Sequence, residues 1–403
     1  MARCDELAAY TEEPGRITRA YGTTALIAAR AAVARWMREA GLDVRTDAVG
    51  NLHGRVDGSE PTAPAFLLGS HLDSVRDAGR YDGPLGILVA IEAVDRVRDR
   101  PGPLPFPVEV IAFADEEGLR FQTTYLGSCA LAGSFDPAFL ELTDADDVSL
   151  REAMRTFGGD PDTLASTAMS PGEAFGYIEV HIEQGPHLES IDAPVGVVTA
   201  ISGQSRILAA FVGEAGHAGT VAMHLRRDPL PAAAEIVLAA EELARNTPGL
   251  LATVGAIEVT PGASNVIPGQ ARFSLDVRHP EDAVRIDAVS ALEQRVREIA
   301  ASRSLGVEWR IARDHPAVAC DAPLTTHLAE AVAAAGLPVE RLPSGAGHDA
   351  VVMSEVIPVG MLFVRCAGGI SHHPAESVTT SDVAAAIDVL DRFLDALGEE
   401  KPR

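Results

Sequence analysis

Apolar residues in this chain fall into short unbroken runs, separated by stretches with helical spacing. Ala65-Phe66-Leu67-Leu68 and Val108-Glu109-Val110-Ile111-Ala112-Phe113 read as buried strands bounded by glycine. Between them Pro84 opens a predicted helix, with Ile87, Ile91 and Val94 on one face and Glu92, Asp95 and Arg96 on another. Strand, helix, strand in that order predicts an α/β sheet. Upstream, residues 1–42 read as helical up to Gly41, and Asp43 to Thr46 with Leu52 to Val56 as a strand pair about Gly50-Asn51. Residues 134–173 are acidic and loop-rich, with a short helix predicted at 149–157. Tyr177 to His181 and Val195 to Ile201 are further strands.

The pattern then changes. Arg206 to Val212 is a strand, Asp228-Pro229 caps a helix to about Arg245, and Leu251 to Thr260 and Ala271 to Arg278 are strands. A helix from Glu281 to about Ser302 carries Val289, Leu292, Val296 and Ile299 at three- and four-residue spacing, and Val307 to Ile311 is a last strand. This βαββαβ order makes a small ferredoxin-like sheet with two helices on one face. The α/β pattern resumes with a helix from Leu324, a strand at Val359 to Val364, and a final helix striped by Val383, Ile387, Leu390, Leu394 and Leu397. The expected fold is therefore α/β and discontinuous: a first domain of residues 1–203 and 318–403, interrupted by an insert at 204–317.

Length agrees with about two domains, since 403 residues exceed one ordinary core. The formal charge of -25 argues against a nucleic-acid or anionic-membrane surface, both of which need a basic face. Cys4, Cys129, Cys320 and Cys366 lack paired spacing, which suits reduced thiols, and the chain opens without an apolar signal core. A cytoplasmic protein is expected.

Chemistry concentrates where the apolar runs stop. Gly69-Ser70-His71-Leu72-Asp73 follows one, Ala114-Asp115-Glu116-Glu117-Gly118 another, and His181-Ile182-Glu183-Gln184-Gly185 a third. Ser371-His372-His373-Pro374-Ala375-Glu376 is a fourth such segment. Charge at the end of a buried strand must be paired or coordinated, and ligand sites in open α/β sheets sit at strand ends. A single histidine or a Glu-Glu pair there would be ordinary. His71, Asp82, Glu117, His181 and His372 together form a mixed imidazole and carboxylate set suited to zinc, manganese, cobalt or nickel rather than calcium. Asp73, on the same face as His71, is positioned to fix its tautomer.

These segments resemble those of a known family. With Gly216-His217-Ala218-Gly219-Thr220, Ser264-Asn265-Val266-Ile267-Pro268-Gly269 and Gly345-Ala346-Gly347-His348-Asp349-Ala350, they are similar to the ureido amidohydrolases. That group comprises allantoate amidohydrolase, N-carbamoyl-L-amino acid hydrolase and bacterial β-ureidopropionase, within the dinuclear metallo-aminoacylase and carboxypeptidase superfamily. The resemblance covers roughly residues 65–377. It implies two divalent metal ions per subunit, manganese foremost, with zinc, cobalt or nickel as alternatives. One would be held by Asp82, Glu117 and His372, the other by Asp82, His71 and His181, with Asp82 bridging. His373 would stay outside, and a cis peptide would follow Asp82.

By the same resemblance Glu116 is the general base, and the insert is a lid and dimerisation module. His217 would stabilise the oxyanion in the partner subunit's site, while Gln204, Asn265, Arg278 and the Gly347 main chain complete the substrate pocket. Relatives carry a proline two residues beyond the position of Thr220, where this chain has Val221-Ala222-Met223, so the stiffness of that loop is open. The run Glu116 to Ser128 looks closest to plant-type allantoate enzymes. The expected function is metal-dependent hydrolysis of a ureido C–N bond, in allantoate first and in N-carbamoyl-L-amino acids second. A catalytically dead ligand-binding relative would lack a base or ligand, and none is missing.

Overall fold

The computed structural model describes residues 1–98, 100 and 102–399. The chain forms two compact units. One comprises residues 1–199, 320–342 and 346–403; the other comprises 200–319 with 343–345.

The first unit is built on a mixed sheet whose strands lie in the order Asp43–Thr46, Leu52–Val56, Val108–Phe113, Ala65–His71, Ala174–Ile182, Val359–Val364, Val195–Ile201. Neighbours from Val108–Phe113 to Val359–Val364 are parallel, whereas pairings towards both ends of this series are antiparallel. Parallel strands buried on both faces need unbroken apolar sequence, and Ala65–His71 and Val108–Phe113 are buried throughout. The parallel strands point their carboxyl ends the same way, so the segments after them gather at one edge.

The helix Pro84–Arg98 covers one face and buries Ile87, Ile91 and Val94 together with most of its other apolar residues. The final helix, Thr380–Glu399, buries Val383, Leu390, Leu394 and Leu397, adding Val389 and Phe393 to the stripe. Phe66 joins this packing: its ring centroid lies 6.4 Å from Phe106, 5.3 Å from Phe175 and 5.5 Å from Phe393. Such aromatic spacing adds to the area-driven stabilisation.

The N-terminal region is two helices, Ala2–Ala9 and Thr24–Glu39, and not one. Pro14 and Gly15 fall between them, and Thr23 caps the second by accepting the Leu26 N–H. The helix Leu126–Ala132, just after the Glu116-Glu117 segment, has too few periodic positions to announce itself in sequence.

In the second unit the strands Ile257–Thr260, Gln270–His279, Gly203–Val212 and Gly306–His315 form the antiparallel sheet in that order. The run expected at Leu251 to Thr260 is two strands, Leu251–Thr253 and Ile257–Thr260, pairing with different parts of Gln270–His279. The break falls at Gly255, beside Ser274, whose hydroxyl and N–H hold Ala256 instead. Ile207, Ala209 and Phe211 turn inward against the helices Pro229–Asn246 and Asp282–Arg303, which contribute Ile236, Leu292 and Val296. Among the described residues no helix is long and apolar enough to cross a membrane.

Candidate dinuclear metal site

His71 is the last residue of its strand and His181 lies one residue before the end of the neighbouring one. Their Nε2 atoms consequently approach to 3.4 Å, both rings fully buried and stacked with centroids 5.6 Å apart. The Nδ1 of His181 is 2.9 Å from the carbonyl of Ile182, so Nδ1 donates there and Nε2 is the nitrogen turned inward towards Asp82. His71 Nδ1 is 3.3 Å from the Asp73 carbonyl and 3.4 Å from its Oδ1.

Asp82 lies between these histidines and a further donor set. Its Oδ1 is 3.1 Å from His181 Nε2 and 3.6 Å from His71 Nε2. Its Oδ2 is 3.1 Å from His372 Nε2, which in turn is 3.3 Å from Glu117 Oε1. His71, Asp82 and His181 thus offer ligand atoms within 4.8 Å of one another, and so do Asp82, Glu117 and His372. His71, Glu116 and Glu117 form a third such group.

Oδ1 of Asp82 is buried yet lacks a hydrogen bond of acceptable geometry. A buried carboxylate oxygen within 3.1 and 3.6 Å of two imidazole Nε2 atoms is an arrangement that a divalent cation satisfies. The donor set fits such ions on both sides of Asp82.

The electrostatics follow from burial. Burial alone would raise Asp82, but His181, His372 and His71 together hold it well below the ordinary carboxylate range. His372, beside Asp82 and Glu117, is pushed up to about 10. Burial, and next the charge of Glu117, push Glu116 well above the usual carboxylate value.

Several supports escaped the sequence reading. Gln184 takes a left-handed φ of 58°, a conformation uncommon outside glycine, and this turns its amide to donate to Asp82 Oδ2 at 3.1 Å. Ser371 donates to the same oxygen at 2.7 Å. Glu376 Oε1 accepts the Tyr81 and Asp82 N–H groups at 2.7 and 3.1 Å, clamping the loop from behind. Both Gln184 and Glu376 sit in the strand-end segments already singled out, but nothing in spacing shows that they reach Asp82.

The peptide after Asp82 is not cis; among the described residues the cis bond is Thr260–Pro261. A non-proline cis bond costs about 2.5–4 kcal/mol, and Gly83 makes the turn with a φ of 81° instead. A Cβ on Gly83 would lie 2.5 Å from the His71 ring, so only glycine admits that ring. His373 is exposed, and its Nδ1 accepts the Ala375 N–H at 3.1 Å, which holds it in the local turn.

The remaining candidates are engaged locally. In the second unit His217 is exposed and its Nδ1 accepts the Gly219 N–H at 3.0 Å. The adjacent Ala218 N–H bonds the Asn265 carbonyl at 3.0 Å. Arg226 braces the proline-free loop, donating to Val221 and Ala218 carbonyls at 3.1 and 2.7 Å. Gln204 and Arg278 face each other across paired strands and share Asp276: Gln204 donates at 2.7 Å, and Arg278 grips both oxygens at 2.7 and 3.0 Å. Arg278 also donates to the Gly345 carbonyl at 2.6 Å. Gly347 belongs to the first unit.

Residues 67–396 match the family model for peptidase family M20/M25/M40. The probable allantoate deiminase of Oryza sativa subsp. japonica is 42% identical over 430 residues, covering 98% of this chain and 87% of that protein. The N-carbamoyl-L-amino acid amidohydrolase of Geobacillus stearothermophilus is 43% identical over 389 residues, covering 96% and 95% respectively. A hydantoinase/carbamoylase family amidase from Burkholderia multivorans superposes with a TM-score of 0.93 at 33% identity, over 100% of this chain and 97% of that one.

Proposed function

This chain belongs to peptidase family M20/M25/M40, and from that membership we propose that it is a dinuclear metal-dependent amidohydrolase cleaving a ureido C–N bond, with allantoate as substrate. The observation that carries the reading is Asp82, whose two oxygens face separate donor sets, His71 with His181 and Glu117 with His372. Those five residues would hold the ions, manganese first, with zinc, cobalt or nickel also matched to mixed imidazole and carboxylate ligands. When bound, the ions would supply Lewis acidity to the carbonyl and acidify a water near neutral pH.

Glu116 is the proton carrier. Its carboxyl takes the proton from the attacking water and delivers it to the departing nitrogen, and its place in the His71, Glu116 and Glu117 group sets it beside that chemistry. A urea carbonyl is a weak electrophile because two nitrogens donate into it, so the site must stabilise the developing oxyanion. His217 is assigned that task, from a partner subunit in a homodimer. Exposed Met223, Leu225 and Leu238 on the second unit support an interface there. Gln204, Asn265, Arg278 and the Gly347 main chain are assigned to the substrate, with Arg278 releasing Asp276 to take its carboxylate. Four free cysteines accord with a cytoplasmic setting.

Allantoate is placed first because the Glu116 to Ser128 run is plant-like and the rice relative bears the name probable allantoate deiminase. The Geobacillus relative supports N-carbamoyl-L-amino acids as the second reading. Purified protein assayed with manganese against allantoate and a panel of N-carbamoyl-L-amino acids decides between them; turnover of neither would overturn the ureido assignment.

A further inference from the structure

Tyr125 stands in a conformation that its side chain does not favour. Its φ of 64° lies in the left-handed region, strained for an aromatic residue and maintained only where the surroundings fix it. Here they do. Its N–H donates to the Glu116 carbonyl at 3.1 Å, and its own carbonyl accepts the Cys129 N–H at 2.8 Å to start the Leu126–Ala132 helix. Ser128 in that helix donates to Asp349 Oδ1 at 2.5 Å, tying it to the segment that carries Gly347.

The strain aims the phenol at Gly347. A Cβ built on Gly347 would lie 2.0 Å from the Tyr125 hydroxyl oxygen and 3.4 Å from the ring carbon bearing it. Gly347 has no left-handed φ, so its main chain would accept other residues; the space taken by the hydroxyl is what demands glycine. Tyr125 is partly exposed although Leu126, Gly127 and Ser128 after it are buried. Among the described residues its hydroxyl has no hydrogen-bond partner. A protonated phenol is thereby held, as a free donor, between the carrier of the proposed base and the proposed substrate-binding main chain.

We propose that the Tyr125 hydroxyl is a specificity-determining contact, donating a hydrogen bond to a neutral polar group that the substrate carries beside its scissile ureido unit. The carbonyl of a second ureido arm is such a group; one O–H matches one carbonyl lone pair, whereas a carboxylate is better served by a guanidinium fork. The proposal rests on the ureido-hydrolase reading above and selects, within it, substrates with two polar arms over N-carbamoyl amino acids with apolar side chains.

The test compares kcat/KM for allantoate and for N-carbamoyl-L-leucine in wild type, Tyr125→Phe, Gly347→Ala and the double variant, with metal content and melting temperature measured for each. In Tyr125→Phe the allantoate-to-leucine ratio should fall about tenfold, mostly through the KM for allantoate, with both ions retained. Gly347→Ala displaces the hydroxyl and should lower the ratio similarly. The double variant should fall no further than Tyr125→Phe, because a ring carbon at 3.4 Å tolerates the new methyl. An unchanged ratio in Tyr125→Phe, additive losses in the double variant, or a wild type active on N-carbamoyl-L-leucine alone would each overturn the role of Tyr125. A wild type inert towards every ureido compound would instead overturn the ureido reading, and this proposal with it.

Discussion

Asp73 holds Glu116 by its main chain: Oδ1 accepts the Glu116 N–H at 3.0 Å, while Oδ2 accepts the Glu117 N–H at 3.1 Å. The same carboxylate lies against the His71 ring. One buried side chain thus sets a donor on each side of Asp82 and the residue assigned as base. Asp73→Asn removes an acceptor oxygen while keeping the shape. Metal affinity should fall about 10- to 100-fold, measured by elemental analysis after dialysis against graded chelator. Full metal retention together with full activity would show the brace to be dispensable.

Glu116→Gln separates proton transfer from metal binding. Both ions should stay, and turnover should drop about 10²- to 10⁴-fold, the usual weight of a general base. Near wild-type turnover would remove Glu116 from the reaction.

Neighbouring histidines give an internal control. His372→Ala should lose one ion per subunit by elemental analysis, because Asp82 and Glu117 then lack their imidazole partner. His373→Ala should keep both, since that ring is engaged with Ala375 in the local turn.

Metal uptake should depend on pH through His372. With its pKa near 10 in the metal-free protein, the ring is protonated throughout the neutral range. A cation must displace that proton, so affinity rises with pH, by about tenfold per unit for one proton, and levels off above about pH 10. Binding titrations at several pH values, with proton release followed in weak buffer, check the sign. Affinity that falls with rising pH would contradict it.

His217 is predicted to serve the partner subunit. Glu116→Gln and His217→Ala proteins, each inactive alone, should regain activity once refolded together. Mixed dimers form about half the population at equal input and carry one intact site, so about a quarter of wild-type activity should return. Cross-linked mixed dimers without activity would refute the shared site.

Most of the sheet was readable because parallel strands need unbroken apolar runs, and those runs stop abruptly at His71, Asp115 and Glu183. The clustered donors were readable for the same reason: a buried strand has no packing use for a terminal imidazole. The supports of Asp82 were not. Gln184 reaches it through a left-handed turn and Ser371 through a loop closed from the far end of the chain, and neither geometry has a period. The Leu251 to Thr260 run looked continuous because alternation is indifferent to a glycine break that a neighbouring hydroxyl stabilises.

Ser371 and Asp82 are bonded across 289 positions of sequence. At the ordinary synthesis rate of about 5–20 residues per second, roughly 15–60 s pass between making one and the other. The His71, Asp82 and His181 set is complete long before His372 exists. A growing chain therefore has one candidate donor set written while the second is still to come. Assembly of the two sets then has a built-in order, and a premature stop shortly before His372 would abolish the later set and also strip the earlier one of Glu376, the clamp behind Asp82.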